Sequence, residues 1–294
     1  MVGGAAMSNL LASKAPKTGS RRLARFAHLT DVHVQTDRAA DRGFEAALAH
    51  VQQQADPPEW IVFGGDNVMN VDSKTGAESA GKQLATWKRC LKNGLSIPYQ
   101  ICIGNHDVLN NHSVDGKKWA VDSYELPKSY YSFDRKGWRF LVLDSTSPLE
   151  GRYKARLDEA QFDWLKQQLQ QTEASTPIAI VSHIPILSAT TFFDGNNEKT
   201  GDWNVPGAFM HLDARAMKDL FLKHPNVKMS LSGHIHLVDE VRYNNVVYYC
   251  DGAVSGGWWK GPFQEFGNGY ALIDLFDDGT VQRSFVNFPW QPQP

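Results

Sequence analysis

The chain has 294 residues, 42% of them hydrophobic and 11% aromatic, enough to bury one large core. With 30 basic and 32 acidic residues the formal charge is −2, so no broad basic surface is implied and long nucleic acid is not an expected partner. No run approaches the roughly 20 apolar residues of a membrane span, and Cys90, Cys102 and Cys250 form no CxxC, which leaves buried free thiols rather than a zinc ribbon or redox pair.

Residues 1–13 are uncharged, small and apolar, with no basic region ahead of them. They read as the tail of a signal peptide whose start is missing, followed by a polar linker over 14–22. An expression remnant or a disordered end is the alternative. On the first reading a periplasmic or secreted setting is favoured over the cytoplasm. Residues 1–24 are thus expected as a flexible segment and 25–294 as one domain.

From Arg25 the chain alternates. Residues 26–29 are a short apolar strand, and 37–54 carry Phe44, Leu48 and Val51 at helical spacing. A strand over 60–63 precedes a helix over 76–93 with Leu84, Trp87 and Leu91 on one face; 99–103 is a third strand. This alternation predicts a layered α/β sheet. Next come a hairpin (129–134 with 138–144) and a helix over 158–172, with Asp158 as N-cap and Gln161 three residues on. A strand over 178–183, a helix over 213–224 and a strand over 227–232 follow. The last sixty residues read as strands 239–243, 246–251, 270–276 and 281–285, with Asn244-Asn245 and Asp278-Gly279 as turns. Residues 108–125 and 185–211 look irregular, and loops this long in a compact domain are usually functional.

The strands end on chemistry. The first ends in Asp31-Val32-His33, the second in Gly65-Asp66-Asn67, the third in Gly104-Asn105-His106-Asp107, the one at 178 in His183, and the one at 227 in Gly233-His234-Ile235-His236. Carboxyl ends of strands in α/β sheets converge on a ligand crevice. Mixed carboxylate, amide and imidazole donors suit divalent first-row metals. Strand alternation would put both members of Asp-x-His and of His-x-His on one side, with the preceding glycines admitting a tight turn. Singly, each motif has an ordinary explanation as a capped strand end or a turn. Together, those explanations need five coincidences.

The series resembles the calcineurin-like metallophosphoesterase superfamily, over residues 25 to about 240. The resemblance implies a four-layer α/β/β/α sandwich with a two-metal site of Mn, Fe or Zn. It implies Asp31, His33 and His236 on one ion, Asn105, His183 and His234 on the other, and Asp66 bridging. It further implies a dinuclear hydrolase in which a hydroxide shared by the ions attacks phosphorus in line. His106, beside Asn105, would protonate or stabilise the leaving oxygen, with Asp107 fixing the His106 ring.

The resemblance leans toward bacterial class III cyclic-nucleotide phosphodiesterases, and so toward a small organic phosphodiester. A phosphomonoesterase with the same metal site, or an idle metal-binding scaffold, is the alternative. Purple acid phosphatases carry tyrosine three residues after the bridging Asp, where this chain has Met69. Asn105, His106, Trp258, Trp259 and Lys260 are candidate substrate contacts, the last three stacking on a leaving group or packing the C-terminal strands. Asn110, Asn111 and His112, and Phe192, Phe193, Asn196, Asn197 and Trp203, are further candidates in the irregular stretches.

Overall fold

The computed structural model describes residues 16–71, 76–109, 114–149, 152–193 and 197–292. The segment 1–15, which carries the leader expectation, lies outside the described residues, as do Asn110, Asn111, His112 and Asn196.

Two sheets carry the chain. The first has the order β13(Val281–Asn287)-β12(Gly269–Phe276)-β1(Arg22–Leu29)-β2(Ile61–Phe63)-β3(Tyr99–Ile101). The second has the order β10(Asp239–Tyr243)-β11(Val246–Cys250)-β9(Val227–Ser232)-β8(Ile178–Ser182)-β5(Trp138–Leu143)-β4(Tyr131–Arg135). Strands β1, β2 and β3 are parallel, as are β5, β8, β9 and β11, while β12, β13, β4 and β10 run antiparallel at the edges.

Three apolar layers define the sandwich. Phe26, Val62, Phe140, Val181, Leu231 and Ile273 belong to a core between the two sheets. Helices α1(Ala40–Gln52), α2(Ala77–Gly94) and α3(Val114–Ser123) cover the outer face of the first sheet through Phe44, Leu48, Trp87 and Ala120. Helices α4(Glu159–Gln171) and α5(Ala214–Leu222) cover the second through Leu165, Leu169, Met217 and Phe221. The expected four-layer α/β/β/α arrangement is therefore the observed one. The Asp158 cap is also as expected: its Oδ1 accepts from the Gln161 amide at 2.7 Å.

Two expectations are corrected and one element is new. Residues 108–125 are not irregular throughout, because α3 forms there with few apolar residues to announce it. A hairpin, β6(Thr146–Leu149) with β7(Arg152–Ala155), occupies a stretch for which no element was expected. The polar residues before Arg22 are tied down from Lys17: its backbone N–H and the Ser20 hydroxyl both donate to Asp278. The C-terminal strands stand as expected, with Asn244 and Asn245 both left-handed in the hairpin turn.

Candidate metal centre

The centre forms where β1, β2, β3, β8 and β9 give way to loops. Simple strand alternation does not aim the ligands, as the sequence reading had it. Asp31, His33, Asp66, His234 and His236 all lie beyond their strands with positive φ, at 55°, 48°, 54°, 72° and 62°. Left-handed residues reverse the chain within a few atoms, so two side chains from one short loop can point at one spot. Such a conformation is strained for a side-chain-bearing residue, less so for Asp and His, and persists where surrounding structure over-determines it. Gly104 and Gly233 allow the close approach: a Cβ on either would sit about 2 Å from Asp66 Oδ1 or Asp31 Oδ2.

All seven expected ligands meet there. His236 Nε2 is 3.3 Å from Asp31 Oδ1, and His33 Nε2 lies 3.1 Å from His236 Nε2 and 3.7 Å from Asp66 Oδ2. His183 Nε2 is 3.2 Å from both Asp66 Oδ2 and Asn105 Oδ1. Three compact trios result: Asp31 with His33 and His236, Asp66 with His183 and His234, and His33 with Asp66 and His106.

The remaining atoms of these groups are held by the protein. The Nδ1–H groups of His183 and His236 donate to the carbonyls of Gly64 (2.9 Å) and Gly256 (2.7 Å). That aims both Nε2 atoms at the cluster. Asp31 Oδ2 accepts from the Thr30 hydroxyl and the His234 amide, and Asp66 Oδ1 accepts from the His106 amide. Asp31 Oδ1 and His234 Nε2, in contrast, are buried without a hydrogen-bond partner among the described residues. Buried polar atoms without partners are costly. Here they belong to donor types that divalent ions accept, so the residues fit a metal pair.

The electrostatics agree. Burial pushes the Asp31 and Asp66 carboxyls up, but neighbouring imidazoles outweigh it, His236 and His183 for Asp31, His183 and His106 for Asp66. Both end below the usual carboxylate range. Burial pulls His183 down, but Asp66 and Asp31 outweigh it and raise the ring to about 9. His234 drops to about 3 through burial and repulsion from His183. Burial likewise holds His33 well below its ordinary value.

The family model for calcineurin-like phosphoesterases matches residues 24–238. The chain belongs to that family. Its curated relatives include the "Probable glycerophosphodiester phosphodiesterase GpdQ" of Arcobacter nitrofigilis, 21% identical over 68% of this chain and 64% of the relative. The chain thus spans less than two thirds of that protein's length. They also include the human serine/threonine-protein phosphatase CPPED1, 23% identical over 82% and 72% of the two chains. A 3',5'-cyclic-nucleotide phosphodiesterase of Nostoc sp. is 22% identical over 90% and 94%. The family and the Asp/His cluster together imply two divalent ions.

The chain departs from the sequence expectations in the residues around the cluster. Asp107 does not fix the His106 ring. Its Oδ1 accepts from the Asn67 amide and the Tyr124 hydroxyl, its Oδ2 from Gly104 N–H and the Asn67 side chain. His106 Nδ1 has no partner among the described residues. In the tight 3-10 turn Asn105–Asp107 successive side chains diverge by about 120°. Asp107 therefore pins the loops under the centre, and burial beside Asp66 lifts its carboxyl to about 6.

Trp259 is corrected too: it is fully buried and its indole N–H donates to the carbonyls of Val32 and His33, so it cannot stack on substrate. Trp258 does reach the centre, its ring 4.5 Å from that of His236. Lys260 is exposed, and among the described residues no Lys or Arg side chain is hydrogen-bonded or ion-paired to a ligand. Phe192, Phe193 and Trp203 are exposed, Phe192 edge-on to Trp203 at 6.0 Å. Three aromatic neighbours were missed from sequence: Tyr153 and Phe209 beside His234 (6.3 and 5.5 Å), and Phe263 beside Trp258 and His236 (5.4 and 5.7 Å). Tyr153 sits on the unforeseen hairpin. Phe209 carried a faint signal, lying inside the long loop flagged as functional.

Proposed function

We propose that this phosphoesterase hydrolyses a small organic phosphodiester. The observation that carries the reading is the seven-donor cluster with an ionisable side chain, His106, at its open edge. His106 Nε2 is 4.0 Å from Asp66 Oδ2, and 29% of its side chain is exposed. Asp31, His33 and His236 would hold one ion, Asn105, His183 and His234 the other, and Asp66 would serve both. Mn, Fe and Zn all accept this donor set. Bound ions supply Lewis acidity, which acidifies water and neutralises charge on phosphoryl oxygens. The chain's own residues do the rest. Asn105 and the ligand rings shape the phosphoryl site, His106 delivers a proton to the leaving oxygen, and Trp258 and Phe263 wall one flank, Tyr153 and Phe209 the other.

A diester fits this lining better than a monoester. A monoester arrives with nearly two negative charges and a diester with one, and here the walls around the ions are aromatic rather than cationic. Two of the three relatives are named for diesters and one for phosphoprotein, which keeps a monoesterase as the second reading. The deciding comparison is kcat/KM for bis(p-nitrophenyl) phosphate against p-nitrophenyl phosphate on Mn-reconstituted protein. The diester is expected to be the better substrate; a marked preference for the monoester overturns the reading.

A further inference from the structure

The loop 251–260 lies beyond residue 238, where the family match ends, yet it grips the ligand loops. Its root is a buried ion chain: Asp251 accepts from His28 Nδ1 and from Arg283, both at 2.7 Å, with all three side chains at or near zero exposure. From there it runs along the Thr30–His33 backbone. Val254 N–H donates to Thr30 O at 3.0 Å. Ser255 gives Asp31 O two bonds, from its amide at 3.2 Å and its hydroxyl at 2.8 Å. Gly256 O takes the Nδ1 proton of His236, and the Trp259 indole bonds Val32 O and His33 O at 3.0 and 3.1 Å.

The loop itself is held in an unfavourable form. Trp258 and Trp259 both have positive φ, 54° and 67°. Consecutive bulky residues in that region are true outliers and last only where the surroundings fix them. Helix α1 contributes to the fixing, because Gly43 leaves the space that the Trp259 ring fills; a Cβ there would be 2.3 Å from it.

Apart from the bonds at its root, to His28, Arg283 and the Ser232 carbonyl, these bonds reach the Thr30–His33 backbone or the His236 ring. Asn105 and His183 receive none; His183 is oriented by Gly64 instead. We infer that the loop 251–260 is a positioning clamp for one of the two metal positions, that of Asp31, His33 and His236, with Ser255 and Trp259 as its positioning residues. The inference rests on the two-ion reading above.

Ser255→Ala deletes a clamp donor with little change in shape, whereas Trp259→Phe deletes the indole donor together with part of the ring packed beside Gly43. Metal-free protein is titrated with Mn²⁺ by calorimetry, and bound Mn is measured after dialysis at graded free Mn²⁺. Wild type is expected to bind two ions. In each variant one step is expected to weaken roughly ten- to a hundredfold, as when a ligand loses its supporting hydrogen bond, while the other stays within about twofold. Tyr131→Phe, which removes a hydroxyl bonded to Ile101 in the core between the sheets, is expected to lower Tm and leave both steps unchanged. Unchanged isotherms in both clamp variants, or equal weakening of both steps, overturn the clamp. A wild type that binds only one ion overturns the two-ion reading and the clamp with it.

Discussion

The role proposed for His106 is proton transfer rather than holding metal, although with His33 and Asp66 it also forms a candidate ligand trio. Its amide is tied to Asp66 Oδ1 at 2.8 Å, so the backbone beneath the ring is fixed while the ring stands at the open edge. If it donates a proton to the departing oxygen, its worth depends on how much that oxygen needs one. A p-nitrophenolate leaves readily unprotonated; an alkoxide does not. His106→Ala is therefore expected to lower kcat by about 10²–10⁴-fold for an alkyl diester, and by clearly less for bis(p-nitrophenyl) phosphate. Two ions should stay bound. Equal losses on both substrates would instead assign the ring to phosphoryl binding, and a drop in metal content would make it a ligand. At this scale the sequence was most legible where residue type alone decides chemistry: the seven residues that meet at the centre were picked out by type and order. It was least legible where orientation decides. Asp107 follows His106 directly, yet its partners are Asn67 and, seventeen residues on, Tyr124, and nothing local announces that.

Among the elements, α1 is the most informative because two rules oppose each other in it. Gly43 is buried in its first turn, where glycine costs at most about 1 kcal/mol relative to alanine. Propensity alone makes Gly43→Ala stabilising. The added methyl would meet the Trp259 ring at 2.3 Å, however, and overpacking a filled core costs about 1–3 kcal/mol. Overpacking is the larger effect, and the ring cannot retreat without losing its bonds to Val32 and His33. Gly43→Ala is thus expected to lower stability in urea melts; a gain would mean that the Trp259 ring yields freely. The helices and strands with regular apolar spacing were readable for the usual reason, that burial imposes periodicity. The β6–β7 hairpin and α3 escaped because each buries few apolar side chains: β6 and β7 run Thr-Ser-Pro-Leu and Arg-Tyr-Lys-Ala.

For the whole molecule, the decisive feature is that two sheets share one centre. Asp31, His33, Asp66 and Asn105 follow strands of the first sheet; His183, His234 and His236 follow strands of the second. Two of the three trios take members from both sheets, Asp31 and His33 with His236, and Asp66 with His183 and His234, while His33, Asp66 and His106 all follow strands of the first. The sequence could not announce this, since membership of a sheet is set by distant pairings such as Ala27 with Leu272. The consequence is mechanical. A bound ion ties one sheet to the other at the edge where the strands end, and it also removes the cost of burying Asp31 Oδ1 and His234 Nε2 without partners. A ligand bound only by the folded state, at free concentration 100 times its Kd, adds about 2.7 kcal/mol, hence about 5 kcal/mol for two ions. At roughly 2 °C or more per kcal/mol for a large domain, chelation is expected to lower Tm by on the order of 10 °C. Calorimetry before chelation, after it and after Mn²⁺ is restored measures the effect. A Tm that ignores chelation while bound metal falls to zero would mean that the sheets hold together without the ions and that the cluster serves chemistry alone.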